Sequence, residues 1–381
     1  MKMMKKAVII PDSFKGTLSS LQICGIIEGK INDYFPDCNT ISIPVADGGE
    51  GSVDCFITAL GGERISIVVK NPYFEDMRSF YGIIGGGNTA VIEMAACAGL
   101  PLIEGRKDPS VTTTYGVGQL ILDAAKRGVK KIIVGLGGSG TNDGGCGAAA
   151  AVGIDFLNKK GEKFVPAGGT IHEIAEIDMT GKNRILDGIE IITMCDIDNP
   201  MYGMTGAAHV FGPQKGASPE MVLLLDEGIK HLSEVIKKNL GKDLGNIPGS
   251  GAAGAMGAGM MAFFDSKLQM GIETVLDTVK FDSIISDADI IFTGEGKIDS
   301  QSLRGKVVIG VAKRAKKQNV PVIVIVGGAD NDIDRAYDFG VTSIFAINKL
   351  PEAFELSRFK SVENITFTID NIMRLIKSIN I

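Results

Sequence analysis

Several signatures that would settle a function are missing from this chain of 381 residues. Histidine is scarce: His172, His209 and His231 stand at no metal-ligand spacing, which argues against zinc. The six cysteines, Cys24, Cys38, Cys55, Cys97, Cys146 and Cys195, form no C-x-x-C pair, so buried free thiols in a reducing cytosol are expected. No G-x-x-x-x-G-K-[ST] loop occurs. Around Gly305-Lys306, Ser300 stands where the first glycine belongs and Val307 replaces the hydroxyl residue, which argues against a P-loop enzyme. No G-x-S-x-G elbow supports an α/β-hydrolase. No run approaches the ~18 apolar residues of a membrane span. Only four apolar residues separate the basic start from Pro11, too few for a signal peptide. A cytoplasmic protein with no membrane partner is expected. The net charge of −6 and pI near 5.3 count against nucleic acid as the main partner.

Glycine is abundant instead, with 50 residues, about twice the usual ~7% share. The glycines fall in loops after apolar runs, with no fixed period. The first 70 residues alternate strand and helix: "KKAVIIPD", "TISIPVADGG" and "RISIVVK" read as strands, and "SSLQICGIIEGKINDYF" as a helix with Ser19 and Gln22 at capping-box spacing. The last 95 residues repeat that style, with strands "DADIIFTGEG", "VPVIVIVGG" and "TSIFAIN". This alternation predicts an α/β, doubly wound parallel-sheet domain, Rossmann- or flavodoxin-like, made of residues 1–71 and 286–381. Residues 72–285 read as a second α/β domain with a mixed sheet, inserted into the first. Hairpins are expected around "GGGN" and within "DFLNKKGEKFV", and a helix starting after Ser218 with Pro219 in its first turn. The active site is expected in the cleft between the domains.

Acidic residues keep appearing after apolar strands: Asp12, Asp47 and Glu50, Asp143, Asp196 and Asp198, Glu295 and Asp299. In open α/β sheets the carboxyl ends of parallel strands share one face, and ligands bind there. Any one of these residues is equally well an Asx turn or a helix cap. Lys15, Lys215, Lys297, Arg304 and Lys306 accompany them, although a lone lysine is more often a solvated surface group. Carboxylates, cations and open glycine backbone together are the parts needed for phosphoryl transfer.

The stretch "GLGGSGTNDGG" (135–145) spells G-x-G-x-x-G with Gly135, Gly137 and Gly140. A dinucleotide fingerprint needs a helix starting near the third glycine. Here that helix would carry Gly144, Gly145 and Gly147, each costing ~1 kcal/mol relative to alanine. The acid expected on the ribose would be Asp155, only 15 residues beyond Gly140. An NAD(P)-dependent oxidoreductase is therefore a rival reading in poor context, and a non-catalytic sugar-acid-binding protein is a second. A cradle for phosphate or carboxylate fits the loop better.

Nearly the whole chain resembles the bacterial glycerate kinases of the two-domain type without a P-loop. The resemblance rests on "PDSFKGTLSS" (11–20), "PVADGGEGS" (44–52), "AVIEMAACAGL" (90–100), "TTTYGVGQLI" (112–121), "GLGGSGTNDGG" (135–145), "CDIDNPMYG" (195–203), "VFGPQKGASPEM" (210–221) and "FTGEGKIDSQSLRGK" (292–306). It implies phosphorylation of D-glycerate with ATP and Mg²⁺, giving 2-phosphoglycerate, with 3-phosphoglycerate as the alternative product. It implies small-molecule partners and leaves a homodimer open. Asp47 and Asp196 are the leading candidates for base and metal ligand, with Glu50 beside them as a ligand. Asp12, Ser13, Lys15, Gly137, Gly138, Ser139 and Asp143 are expected to face substrate, and Lys15 to act in catalysis. Gly294, Glu295, Lys297, Asp299, Arg304 and Lys306 are expected on the nucleotide side.

Overall fold

A computed structural model describes residues 4–46, 48–300, 302–350 and 352–379, apart from the Arg304 side chain. In chain order the strands are β1 (Lys6–Pro11), β2 (Asn39–Ser42), β3 (Gly62–Lys70), β4 (Asp76–Ile84), β5 (Thr89–Glu93), β6 (Lys131–Gly135), β7 (Asp155–Leu157), β8 (Lys163–Phe164), β9 (Glu176–Asp178), β10 (Glu190–Met194), β11 (Lys267–Gln269), β12 (Ile290–Ile298), β13 (Val322–Ala329) and β14 (Ser343–Ala346). They divide between two compact units. One holds Met1–Ala46, Thr58–Leu60 and Met270–Ile381; the other holds Asp47–Ile57 and Gly61–Gln269.

The first unit is built on a parallel sheet in the order β2-β1-β12-β13-β14. That is the flavodoxin-like order, in which the topology reverses between the first and third strands of the sheet, here β1 and β12. The two centre strands are apolar because both faces are covered. On one face the Ser20–Tyr34 and Ser361–Ile379 helices bury Ile23, Ile27, Ile31, Ile365, Ile369 and Ile372 with Ile9 and Phe292. The Ser20–Tyr34 helix starts where the sequence places its capping box: Gln22 N–H donates to Ser19 Oγ at 3.2 Å, and Ser19 N–H to Gln22 Oε1 at 2.9 Å. The Val307–Lys317 helix buries Val308, Ile309, Val311 and Ala312.

The second unit carries a mixed sheet, β11-β10-β6-β5-β4-β3, and a small antiparallel sheet, β8-β7-β9. Strands β11, β10, β6 and β5 are parallel, and β4 and β3 extend the sheet antiparallel. Both expected hairpins form: β4–β5 around Gly85–Gly87, and β7–β8. The Pro219–Leu240 helix is capped by Ser218.

One strand differs from its expected place. The alternation of the first 70 residues makes "RISIVVK" the third strand of a first-domain segment ending at residue 71. It is β3, paired antiparallel with β4 from Gly62↔Ile84 to Lys70↔Asp76, and the border lies at 46/47. The second border, expected near 285, lies at 269/270. The reason is in the pattern. Ile65, Ile67 and Val69 face the core of the second unit, while the intervening Val68 is exposed. Period-2 alternation is the mark of a half-covered antiparallel strand, not of a buried parallel one.

Candidate active site

In the first unit the site grows from the reversal point of the sheet. Pro11 pairs with Gly294, and the next residue, Asp12, donates its N–H to the Gly294 carbonyl at 2.8 Å. Asp12 accepts from the Ser13 N–H at 2.6 Å. The chain then folds into a tight loop, with Phe14 and Leu18 paired, which leaves Lys15 exposed at its tip. Gly294 lies inside β12 and Glu295 follows it, 6% exposed, with Oε1 lacking any hydrogen-bond partner among the described residues. Burial is the main cause that lifts the Glu295 carboxyl to about 7; Asp12 and Asp299 push the same way, against Ser302 and Lys306. Asp299 and Ser302 bond reciprocally: Asp299 N–H to Ser302 Oγ at 3.1 Å, and Ser302 N–H to Asp299 Oδ1 at 3.2 Å. Lys306 stands at the start of the Val307–Lys317 helix, which no side chain caps, so its first amides present the positive end of the helix dipole. Lys297, expected on the nucleotide, is exposed and paired with Asp330 at 3.0 Å. Arg304 lies in the Ser302–Arg304 turn. Asp47 falls outside the described residues.

In the second unit the site grows from the carboxyl ends of β6 and β10. The Gly48–Glu50 segment lies on the Gly135–Gly137 loop, backbone against backbone. Gly137 N–H donates to the Gly48 carbonyl at 3.1 Å. A Cβ at Gly137 would stand 2.6 Å from Gly49 Cα, and one at Gly135 would stand 2.2 Å from the Gly48 carbonyl. A Cβ at Gly140 would meet the Gly99 carbonyl at 2.8 Å. All three glycines of the G-x-G-x-x-G spacing thus serve contacts within the protein. No helix begins at Gly140: the next one is Cys146–Ala151. The dinucleotide geometry is absent from this loop.

What the loop does border is a cavity of about 320 Å³, lined among others by Gly137, Gly138, Ser139, Asp196, Gln214 and Ala253. Asp196 is half-buried on its wall, and Glu50 is exposed on the neighbouring segment. Ala253, Gly254 and Ala255 form a left-handed turn, with φ of 56°, 68° and 64°. For the alanines this conformation is unfavourable by roughly 1–2 kcal/mol per residue. The turn persists because Gly254 sits where a Cβ would meet the Thr141 carbonyl at 2.2 Å, and its own carbonyl accepts from Gly144 N–H at 3.0 Å.

Two residues depart from expectation. Asp143, placed facing substrate, is fully buried. Its carboxylate accepts from Thr114 N–H at 2.7 Å, Thr114 Oγ1 at 2.8 Å, and the Gly145 and Gly147 N–H groups at 3.2 Å. Burial raises its carboxyl, and those bonds oppose the rise. Asp143 ties the 112–115 segment to the loop; it does not present itself to a ligand. Lys215, which the sequence offers only as one cation among several, is also fully buried. Its ammonium donates to Ser139 Oγ at 3.0 Å and the Thr141 carbonyl at 2.6 Å, and burial lowers it to about 7.

The parallel sheet of this chain thus reverses at a buried carboxylate, and its second sheet ends on a Gly-rich cavity. The profile of the Glycerate kinase family matches residues 7–377. A glycerate kinase of Bacillus cereus (strain ATCC 10987 / NRS 248) is 44% identical over 368 residues, 96% of this chain and 97% of its own length. A glycerate 2-kinase of Escherichia coli (strain K12) is 44% identical over 354 residues, 92% of this chain and 93% of its own. A crystal structure described as that of a glycerate kinase 2 from Salmonella typhimurium LT2 superposes with a TM-score of 0.88 at 38% identity, covering 98% of this chain and 99% of the other. Motifs, topology and relatives agree along nearly the full length: the chain belongs to the glycerate kinase family and is a kinase.

Proposed function

We propose that this kinase transfers the γ-phosphoryl group of ATP to the C2 hydroxyl of D-glycerate, giving 2-phospho-D-glycerate and ADP. The observation that carries the reading is the pairing of chemistry with strand ends in each unit. The first unit offers an uncapped helix N-terminus beside Lys306, a donor set suited to nucleotide phosphates, with the buried Glu295 carboxyl nearby to face a cation or hydroxyl that comes with them. The second offers a cavity of about 320 Å³, ample for a three-carbon acid, with hydroxyl and backbone groups at Gly137–Ser139 and a carboxylate at Asp196. Gly294, Glu295, Asp299, Arg304 and Lys306 are assigned to the nucleotide; Ser13, Lys15, Gly137, Gly138 and Ser139 to the anionic groups of the reactants, and Asp12 to the substrate.

In the step itself the C2 oxygen forms a bond to phosphorus as the bond to the β-phosphate oxygen breaks, and ADP departs. The hydroxyl proton passes to a carboxylate within hydrogen-bond reach. Asp196 is assigned that role, with Asp47 as the alternative. Among the described residues, no three Asp, Glu, His or Cys side chains form a ready metal cage. Nucleotide-bound Mg²⁺ needs only one or two protein carboxylates, since phosphates and water complete its shell. The oxygen donors of Asp196 and Glu50 fit that requirement; Asp47, the third expected ligand, lies outside the described residues. The ion would supply neutralisation of charge on the transferring group.

The test is ATP consumption with D-glycerate as the only acceptor, followed by NMR of the product. Phosphate on C2 supports the proposal. Absence of glycerate-dependent turnover overturns it, and phosphate on C3 overturns the regiochemistry alone.

A further inference from the structure

Lys215 lies in the short turn Pro213–Lys215 and has no solvent exposure. Its neighbours are neutral oxygens. Two of the three donors of an ammonium are used, on Ser139 Oγ and the Thr141 carbonyl, and no carboxylate among the described residues forms an ion pair with it. Asp143 acts on it only at longer range. The other charged groups of the surrounding segments are engaged elsewhere. Lys107, whose backbone packs on Gly216, is paired with Glu104 at 3.0 Å, and His209 stands 3.9 Å from Asp226. Asp196 lines the cavity that Ser139 lines. An isolated cation of this kind is costly to bury and needs an explanation.

Ser139 supplies it. Its hydroxyl has one proton. While Lys215 is charged, Oγ accepts from the ammonium, and the hydroxyl proton is free to point into the cavity. While Lys215 is a neutral amine, its lone pair can accept that proton instead. The state of the lysine therefore sets whether the cavity sees a donor or an acceptor at Ser139.

We propose that Lys215 is the positioning residue of a carboxylate subsite: its ammonium turns the Ser139 hydroxyl toward the cavity as a donor to an α-hydroxy acid, and it takes up a proton as that anion binds. The inference rests on the assignment of D-glycerate to this cavity. A carboxylate suits the site better than a phosphate. One positive charge behind Ser139 matches one negative charge, whereas a dianion would leave a second charge facing the wall that carries Asp196. By linkage, an anion that favours the charged lysine is itself favoured by acid. Burial lowers the Lys215 ammonium to about 7, so binding should draw a proton mainly above that pH.

The experiment is calorimetry of D-glycerate binding without nucleotide, in two buffers of different ionisation enthalpy, about one pH unit below and one above 7. Little uptake is expected at the lower pH and most of one proton at the higher. KM for D-glycerate should rise up to about tenfold per pH unit above 7. Lys215→Met should abolish the uptake and raise KM by about 10- to 100-fold, the usual weight of a charge-assisted hydrogen bond, with a much smaller loss in kcat. Ser139→Ala keeps the lysine and removes the relay; it should flatten the pH dependence of KM in the same way, and it carries the test if the lysine variant does not fold. Inorganic phosphate alone should produce no uptake. Turnover of D-glycerate with no proton uptake, or uptake that survives in both variants, overturns this assignment while leaving the kinase reading intact. Uptake with phosphate and no binding of D-glycerate overturns both.

Discussion

Glu295 and Lys215 invite comparison. Each is an ionisable group buried near the carboxyl ends of parallel strands, one in each unit, and each is displaced by burial to about 7 from opposite directions. Their surroundings differ. Glu295 is held up further by the carboxylates of Asp12 and Asp299, with Lys306 as a partial counterweight. Lys215 sits among a hydroxyl and a carbonyl and has no counter-ion in contact among the described residues. One group is crowded by its own kind and the other is isolated. Both are poorly satisfied in the free protein, and both gain from a ligand: the first from cations or positive dipoles, the second from an anion.

The largest effect expected is on the chemistry. Asp196→Asn should lower kcat by ~10²–10⁴, the range for a lost proton acceptor, while circular dichroism remains unchanged. Near-normal turnover would remove Asp196 from the mechanism. The next prediction separates the two buried groups by sign. Glu295 has a raised folded pKa, so its contribution to stability is fully present below 4.5 and is lost as pH rises through 7. Lys215 has a lowered one, so its contribution is fully present above 10.5 and is lost as pH falls through 7. Glu295→Gln should therefore stabilise most above pH 7, and Lys215→Met most below it, each by on the order of a few kcal/mol. Thermal unfolding across that range would break the comparison if both variants followed the same pH trend.

Smaller effects test the frame around these groups. Gly137→Ala places a methyl group 2.6 Å from Gly49 Cα and should cost ~1–3 kcal/mol in urea unfolding, the range for overpacking. It should also lower activity, because the two loops beside the cavity must separate. Ser218→Ala removes the acceptor of the Met221 N–H at 3.2 Å and should cost ~1 kcal/mol with kcat unchanged. A comparable loss of activity in both variants would mean that general loosening of the second unit, not loop geometry, governs the site.

Much of this arrangement is legible in the sequence, for physical reasons. Strands such as "AVIIP" and "DIIFTG" are apolar on both faces, which identifies a covered parallel sheet, and the carboxyl-end rule then locates Asp12 and Glu295. β3 is legible too, but in its alternation and not in its neighbours along the chain. Asp143 misleads because "TNDGG" has the look of a ligand loop. Its two local donors, the Gly145 and Gly147 N–H groups, are joined by others from Thr113 and Thr114, some 30 residues earlier, which only the fold brings to it. Lys215 is harder. Burial of a lysine is a three-dimensional fact, and the only local hint is the company it keeps in "GPQKGAS", where small residues flank it and no acid is near. The glycines of "GLGGSG" are legible as a demand for close approach. What approaches is the backbone of Gly48 and Gly49, which no local pattern can name.

That last contact has an evolutionary side. Gly48–Gly49 and Gly135–Gly137 meet without side chains between them, so neither loop has slack to absorb a change in the other. A methyl group on one side would fit only if the backbone of the other side moved outward. The contact therefore predicts that variation at the two loops appears at both sites together or at neither, which an alignment of family sequences would check.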